Sequence, residues 1–190
     1  MFILKYATPT AWTEAVLTDF DAFLIDHAAA EKKASGMAIS MLSHYPDKPD
    51  IVKAMIDLSI EEMTHFREVV KIMSARGLQL GADTKDEYVN QLRGLMRKGK
   101  EFYLLDRLLI AGIIETRGCE RFGLIAEALP EGELKTFYDI ITKSEAKHGN
   151  LFLDLAAAYF SEQMIDERLN DLLISEAEIV KHLPIIAALH

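Results

Sequence analysis

Glu31, Glu62, His65, Glu115, Glu145 and His148 are the residues of this chain whose types and spacing suit chemistry. Each lies inside an apolar stripe of 3.6-residue period rather than on a polar face. The stripes are Leu24, His27, Glu31, Ala34, Ala38 and Met41; Met55, Leu58, Glu62, His65 and Val69; Leu104, Leu108, Ala111, Glu115, Gly118 and Phe122; and Tyr138, Ile141, Glu145, His148, Phe152 and Leu155. Four carboxylates are thus aimed at a core. An ionised carboxylate buried alone costs several kcal/mol, and converging ones also repel, so a strong positive charge is expected among them.

The spacing says what that charge is. Glu62-Met-Thr-His65 and Glu145-Ala-Lys-His148 both read Glu-x-x-His, which sets a carboxylate and an imidazole one turn apart on one helix face, able to ligate one metal ion together. Two such motifs, with one further glutamate from each of two other helices, make the ligand set of a di-iron or di-manganese carboxylate site in a four-helix bundle. An internal repeat supports this: Glu31 to Glu115 spans 84 positions, and Glu62 to Glu145 and His65 to His148 span 83 each. Such ligands leave coordination positions vacant, and a reducible metal pair with vacant positions points to redox chemistry with O2 as co-substrate: oxygenase, ferroxidase or peroxidase.

Long helices must carry these residues. Thr10 is expected to cap a short helix starting near Trp12. A long helix follows from Asp19 to His44, stopped by Tyr45-Pro-Asp-Lys-Pro49. Asp47 is expected to cap the next, which carries Glu62 and His65 and ends at Arg76-Gly77. A loop over 78–84 and a shorter helix over 85–98 form the crossover between two helical hairpins. Helices over 100–129 and 131–159 carry the second ligand group, and 161–190 reads as one more amphipathic helix outside the bundle. Sparse glycine and proline, and almost no alternating Val, Ile and Thr, agree with an all-α chain. At 190 residues, the expectation is one domain over 1–190.

Composition narrows the setting. The N-terminus lacks the basic start and apolar stretch of a signal peptide, no apolar run is long enough to span a bilayer, and one cysteine excludes a disulfide framework within the chain. A cytoplasmic protein is expected. The net charge of −9 argues against broad nucleic-acid binding, but not against a local basic patch. Arg93, Arg97, Lys98 and Lys100, with Arg117 and Arg121 on the Glu115 helix, are the candidates, weighed against a merely solvated face.

Several neighbours admit two readings. Cys119 is expected to be a small buried hydrophobe rather than a ligand. His27, one turn before Glu31, is expected to support it or simply pack. Glu61 either orients a ligand or faces solvent. Tyr138 reads as core. Gly112 and Gly118 serve either close helix packing or open space beside the metals, since a mid-helix glycine otherwise costs about 1 kcal/mol.

The ligand pattern resembles the ferritin-like fold: a four-helix bundle with, here, extra short and C-terminal helices. The whole chain, through Glu61-Glu-Met-Thr-His65-Phe, Glu115-Thr-Arg-Gly-Cys-Glu-Arg-Phe122 and Ser144-Glu-Ala-Lys-His148-Gly-Asn, resembles the tRNA 2-methylthio-N6-isopentenyladenosine hydroxylases. The resemblance implies a di-iron monooxygenase that hydroxylates the isopentenyl group of a hypermodified adenosine beside the anticodon of tRNA, using O2 and two electrons from a separate reductase. It places two iron ions on the six residues; manganese accepts the same ligands. The alternatives are a rubrerythrin- or bacterioferritin-like peroxidase or ferroxidase, and a metal-free helical interaction module. The lone cysteine weakens the first, because it cannot build the four-cysteine iron site of many rubrerythrins.

Overall fold

A computed structural model describes residues 2–190, apart from the Glu101 side chain. Among the described residues there are seven helices and no strand: α1 (Thr10–Thr18), α2 (Phe20–His44), α3 (Pro49–Ala75), α4 (Glu87–Gly94), α5 (Lys100–Ala128), α6 (Glu133–Ala157) and α7 (Glu162–His182). None of these helices is long and apolar enough to cross a membrane. The chain divides into two compact units, one of Glu14–Thr84 with Ile186–Leu189, the other of the residues up to Thr13 with Lys85–Ile185 and His190.

The first unit is the α2·α3 hairpin. Asp19 caps α2 by accepting a hydrogen bond from Ala22 N–H at 3.2 Å. Asp47 does not cap α3, contrary to expectation; the N-cap is Lys48 and no side chain bonds the first turn. Pro49 at the first helical position explains this, since its ring presets the helical φ and removes one donor that a cap would satisfy. The far end closes as the sequence predicts. Gly77 takes φ 74°, its N–H donates to the Ser74 carbonyl, and Leu78 N–H donates to the Met73 carbonyl at 2.9 Å, the paired bonds of a Schellman stop. The 78–84 loop then folds back on α2, where Lys32 reaches Asp83 at 2.7 Å and Lys33 reaches the Thr84 carbonyl at 2.9 Å.

In the second unit α5 packs along α6, and α7 packs against α4, α5 and α6. Helix α4 is shorter than expected. It ends at Gly94, so Arg93, Arg97 and Lys100 do not share one helical face. The cause is Asp106: its carboxylate draws in the backbone N–H of Arg97 at 2.7 Å, the Arg97 guanidinium at 2.7 Å and the Arg168 guanidinium at 2.8 Å. That set ties the turn before α5 to α5 and α7. Helix α7 starts at a Ser161 cap and stops at His182 rather than His190, because Pro184 forces Leu183 into extended backbone.

A second polar set lies deeper. Arg117, fully buried, pairs with fully buried Glu176 of α7 through Nε at 2.8 Å and Nη2 at 3.0 Å. It also donates to Glu120 and to the Tyr6 carbonyl, while Tyr88 O–H donates to Glu176 at 3.0 Å. Burial works against the Arg117 charge, but Glu176 and its neighbours outweigh that and raise its pKa. Arg121, also buried, lies over the Trp12 ring at 4.9 Å; burial and the nearby Arg117 pull its pKa down to about 10.

Asp106 yields a pH prediction. Burial would raise its pKa, yet hydrogen bonds from Arg97 and Arg168 prevail and hold it below the usual carboxylate range. A depressed folded-state pKa gives stability that is present above the unfolded value of about 3.9 and lost as pH falls through the folded one. Wild type is therefore expected to exceed Asp106→Asn in urea-denaturation stability at pH 7, with the gap shrinking below about pH 4. An equal gap at both pH values would contradict the assignment.

Candidate metal centre

In the α2·α3 hairpin Glu31, Glu62 and His65 are all buried, and each offers a ligand atom within 4.8 Å of the others. His65 Nδ1 lies 3.6 Å from Glu31 Oε2 and 3.6 Å from Glu62 Oε2. The hairpin's register produces this. Ser35 Oγ donates to the Ser59 carbonyl at 2.9 Å, about one turn along from Glu31 and Glu62, and so locks α2 against α3 where Glu31, Glu62 and His65 meet. His27, fully buried and one turn before Glu31, meets Glu31 Oε1 through Nε2 at 2.6 Å.

The α5·α6 pair builds a second set. Glu115, Glu145 and His148 are buried and again offer ligand atoms within 4.8 Å of one another. His148 Nδ1 is 2.9 Å from Glu145 Oε2 and 3.9 Å from Glu115 Oε2. Gly112 allows the approach. A Cβ there would lie 3.3 Å from Phe152 Cβ and 3.5 Å from the Gly149 carbonyl, so close packing is its role, beside His148 and one turn before Glu115. Gly118 differs, since a Cβ there would meet only Phe122 of its own helix, at 4.0 Å.

Each set holds two carboxylates and one imidazole away from water. That donor chemistry fits a divalent metal of hard to borderline character, whose charge offsets the burial of the carboxylates.

The remaining sequence candidates separate by burial. Arg93, Lys98 and Lys100 are exposed, and Arg97 is half-buried with its guanidinium engaged by Asp106. Arg117 and Arg121 are corrected: both are buried, held by Glu176, Glu120, Thr8 and Trp12, so neither presents its charge to a nucleic acid. Their i, i+4 spacing looked like a basic face because the acids that hold Arg117 include Glu176, 59 positions away. Phe102 and Tyr103, which the sequence reading passed over, are 46% and 39% exposed, and the Arg97 guanidinium lies 4.8 Å from the Phe102 ring centre. Tyr138 is fully buried against Phe122, as expected of core, and Glu61 is half-buried.

The fold and these buried carboxylate–imidazole sets define the class: an all-α protein of the ferritin-like kind, a four-helix bundle with extra short and C-terminal helices. Across residues 1–190 the chain matches the family model described as tRNA-(MS[2]IO[6]A)-hydroxylase (MiaE), and it belongs to that family. It is 36% identical over 174 residues to the tRNA 2-(methylsulfanyl)-N(6)-isopentenyladenosine(37) hydroxylase of Pseudomonas putida, covering 92% of this chain and 84% of that one. The protein of the same description from Salmonella typhimurium is 29% identical, and the chain spans only 63% of its length. Among solved structures it is similar to a Synechococcus protein with aldehyde deformylating oxygenase activity, with TM-score 0.94 and 33% identity, over 100% of this chain and 96% of that one.

Cys119 is buried and its Sγ donates to the Thr142 carbonyl at 3.4 Å. Burial, then the charges of Glu145 and Glu115, push its thiol up to about 11. The folded protein is therefore expected to react with a thiol reagent at pH 7.5 more than ~100-fold more slowly than the urea-unfolded chain, whose thiol pKa is about 8.5. Comparable rates in the two states would show that Cys119 is accessible.

Proposed function

We propose that this protein is an O2-dependent di-iron monooxygenase that hydroxylates the isopentenyl side chain of a hypermodified adenosine next to the anticodon of tRNA. The observation that carries this reading is the pair of buried two-glutamate, one-histidine sets in a chain of the tRNA hydroxylase family. In this proposal the two compact units work as one domain, and Glu31, Glu62, His65, Glu115, Glu145 and His148 hold two iron ions. When bound, the metal pair supplies reducible centres for O2. The overall reaction inserts one oxygen atom into a C–H bond; two electrons and two protons convert the other to water. A separate reductase supplies the electrons in this proposal, and the lone cysteine, which cannot build a four-cysteine iron site, is consistent with that. The cytoplasm, where tRNA is available, is the proposed place of work.

The protein's own residues have four tasks. The carboxylates and imidazoles bind and orient the metals. His27 Nε2 donates a hydrogen bond to Glu31. The apolar residues around the ligands, among them Met55, Leu58, Leu108 and Phe152, keep water from the reacting alkyl group. Docking of the RNA falls to the segment before and at the start of α5. Arg93, Lys98 and Lys100 meet phosphates there, Arg97 joins them from its half-buried position, and Phe102 and Tyr103 offer rings to unpaired bases of the anticodon loop. Tyr103 and Glu115 are twelve residues apart on α5, about 18 Å along its axis.

Nucleoside mass spectrometry on prenylated tRNA, incubated with iron-loaded protein, O2 and a chemical reductant, is expected to show a product one oxygen atom heavier. Glu115→Ala is expected to abolish it together with stoichiometric iron binding. Iron present and peroxide consumed with no heavier nucleoside would favour the peroxidase or ferroxidase reading; no iron at all, with Glu115→Ala tolerated, would favour a metal-free module.

The docking surface is tested separately. Reversing Lys98 and Lys100 together to glutamate is expected to weaken tRNA binding at every salt concentration, and to lower the slope of log affinity against log salt by about 2 if each lysine neutralises one phosphate. An unchanged slope would remove both residues from the interface.

A further inference from the structure

We infer that the outer face of the α2·α3 hairpin is a docking surface for a second copy of this chain. The inference concerns neither metal nor substrate, so it stands or falls apart from the function proposed above. Ile56, Ile60 and Met63 follow one another at i, i+4 and i+7 along α3, and all three are between 44% and 63% exposed. Ile39 of α2 is 51% exposed. The Ser35 to Ser59 bond brings these side chains together. The two helices run antiparallel, so Ile39, one turn after Ser35, comes level with Ile56, one turn before Ser59. Apolar residues scattered singly over a surface need no explanation, but four large ones gathered on one face mark an interaction site.

Gly36 points the same way. It is exposed, lies on one helix face with Ile39 at i, i+3, and sits in the interior of α2, where glycine destabilises a helix relative to alanine. A Cβ there would meet nothing within 4 Å among the described residues, in contrast to Gly112. Packing within the chain therefore does not require this glycine. A backbone approaching closely from outside does.

Area and charge select the occupant. The 78–84 loop covers the first half of α2, where Lys32 holds Asp83 and a Cβ on Gly81 would lie 3.3 Å from Ile25 Cγ2. The open face thus comprises about 40 Å of α3 and about 13 Å of α2, each about 10 Å wide, or roughly 500 Å². Doubled across a two-fold axis this gives about 1,000 Å², the level at which a protein interface becomes specific. Beside the apolar stripe α3 carries Lys53, Arg67 and Lys71 together with Asp57, Glu61 and Glu68, and Glu68 accepts hydrogen bonds from Arg67 at 3.2 Å and Lys71 at 2.8 Å. Signs in equal number make no field that would select an RNA or a strongly charged protein. A two-fold contact lays the apolar stripe on an identical stripe and a mixed rim on a mixed rim, which this face satisfies by itself.

Sedimentation equilibrium of the purified full-length protein over a range of concentrations is expected to show a monomer–dimer equilibrium. Ile60→Glu would bury a carboxylate from each copy against an apolar surface, and is expected to weaken dimerisation at least ~100-fold. Ile140→Glu, at a comparably exposed isoleucine of α6, is expected to leave it unchanged. Gly36→Leu is expected to melt no lower than wild type, because its side chain enters open space within the chain and replaces a helical glycine, and yet to weaken the dimer. Circular dichroism melting checks that each variant is folded. A dimer that Ile60→Glu and Gly36→Leu leave intact, or that Ile140→Glu breaks equally, would overturn the proposal. So would a monomer at every concentration, which would leave the face to a partner of another kind.

Discussion

Buried carboxylate is the constraint on which this structure depends. Glu31, Glu62, Glu115 and Glu145 all lie out of water on helix faces that are mostly apolar. Desolvating an ion costs several kcal/mol even after the surroundings relax, so such a placement persists only where a compensating charge or a strong hydrogen bond is available. Much of the local structure can be understood as holding these groups in place. The Ser35 to Ser59 bond fixes the α2·α3 register near Glu31 and Glu62, and Gly112 brings α5 against α6 beside His148. A larger residue at Ser35 or Gly112 would shift one of these carboxylates or imidazoles through the backbone that carries it.

Arg117 and Glu176 answer the same problem in the opposite way. Their charges are as deeply buried as those of the glutamates, but the protein supplies its own counterion, in a two-pronged geometry joined by Tyr88, Glu120 and the Tyr6 carbonyl. A well-packed apolar pair would often be at least as stable, so the value of such a pair lies in the register it imposes. Here it ties the residues before α1, α4 and α7 to α5, two residues beyond Glu115. Asp106 does similar work nearer the start of α5, joining Arg97 and Arg168. Helix α5 is thus held by ion pairs near its beginning and its middle, with Glu115 between Asp106 and Arg117 in sequence. Displacing it requires breaking buried charge pairs.

The features legible in the sequence are those whose cause is local. Helical period, Pro49, Gly77 and the two Glu-x-x-His motifs act within a turn or two, and the elements they predict are present. What was not legible depends on partners distant in sequence. Arg117 reads as a surface cation until Glu176 is brought beside it, and the early end of α4 follows from an aspartate 12 positions after Gly94. The end of α7 at His182 is itself local in cause, since Pro184 marks it. His27 sits between these cases. Its spacing from Glu31 was visible, but only the 2.6 Å contact separates a hydrogen-bonding role from packing.

The net charge of −9 is at odds with an RNA substrate only until distance is considered. At physiological ionic strength the screening length is about 8 Å, so an RNA phosphate responds mainly to charges within one or two side chains of it, and hardly to acids on remote faces. In the proposed docking, a few exposed cations before and at the start of α5 would then suffice, provided that affinity does not rest on phosphate contacts alone. Exposed rings would supply the remainder, since stacking on a base is worth about 1–3 kcal/mol and is far less sensitive to salt. A surface that pairs cations with exposed rings would also discriminate. Duplex RNA offers phosphates without accessible base faces, whereas an anticodon loop offers both, and the modified adenosine lies in such a loop.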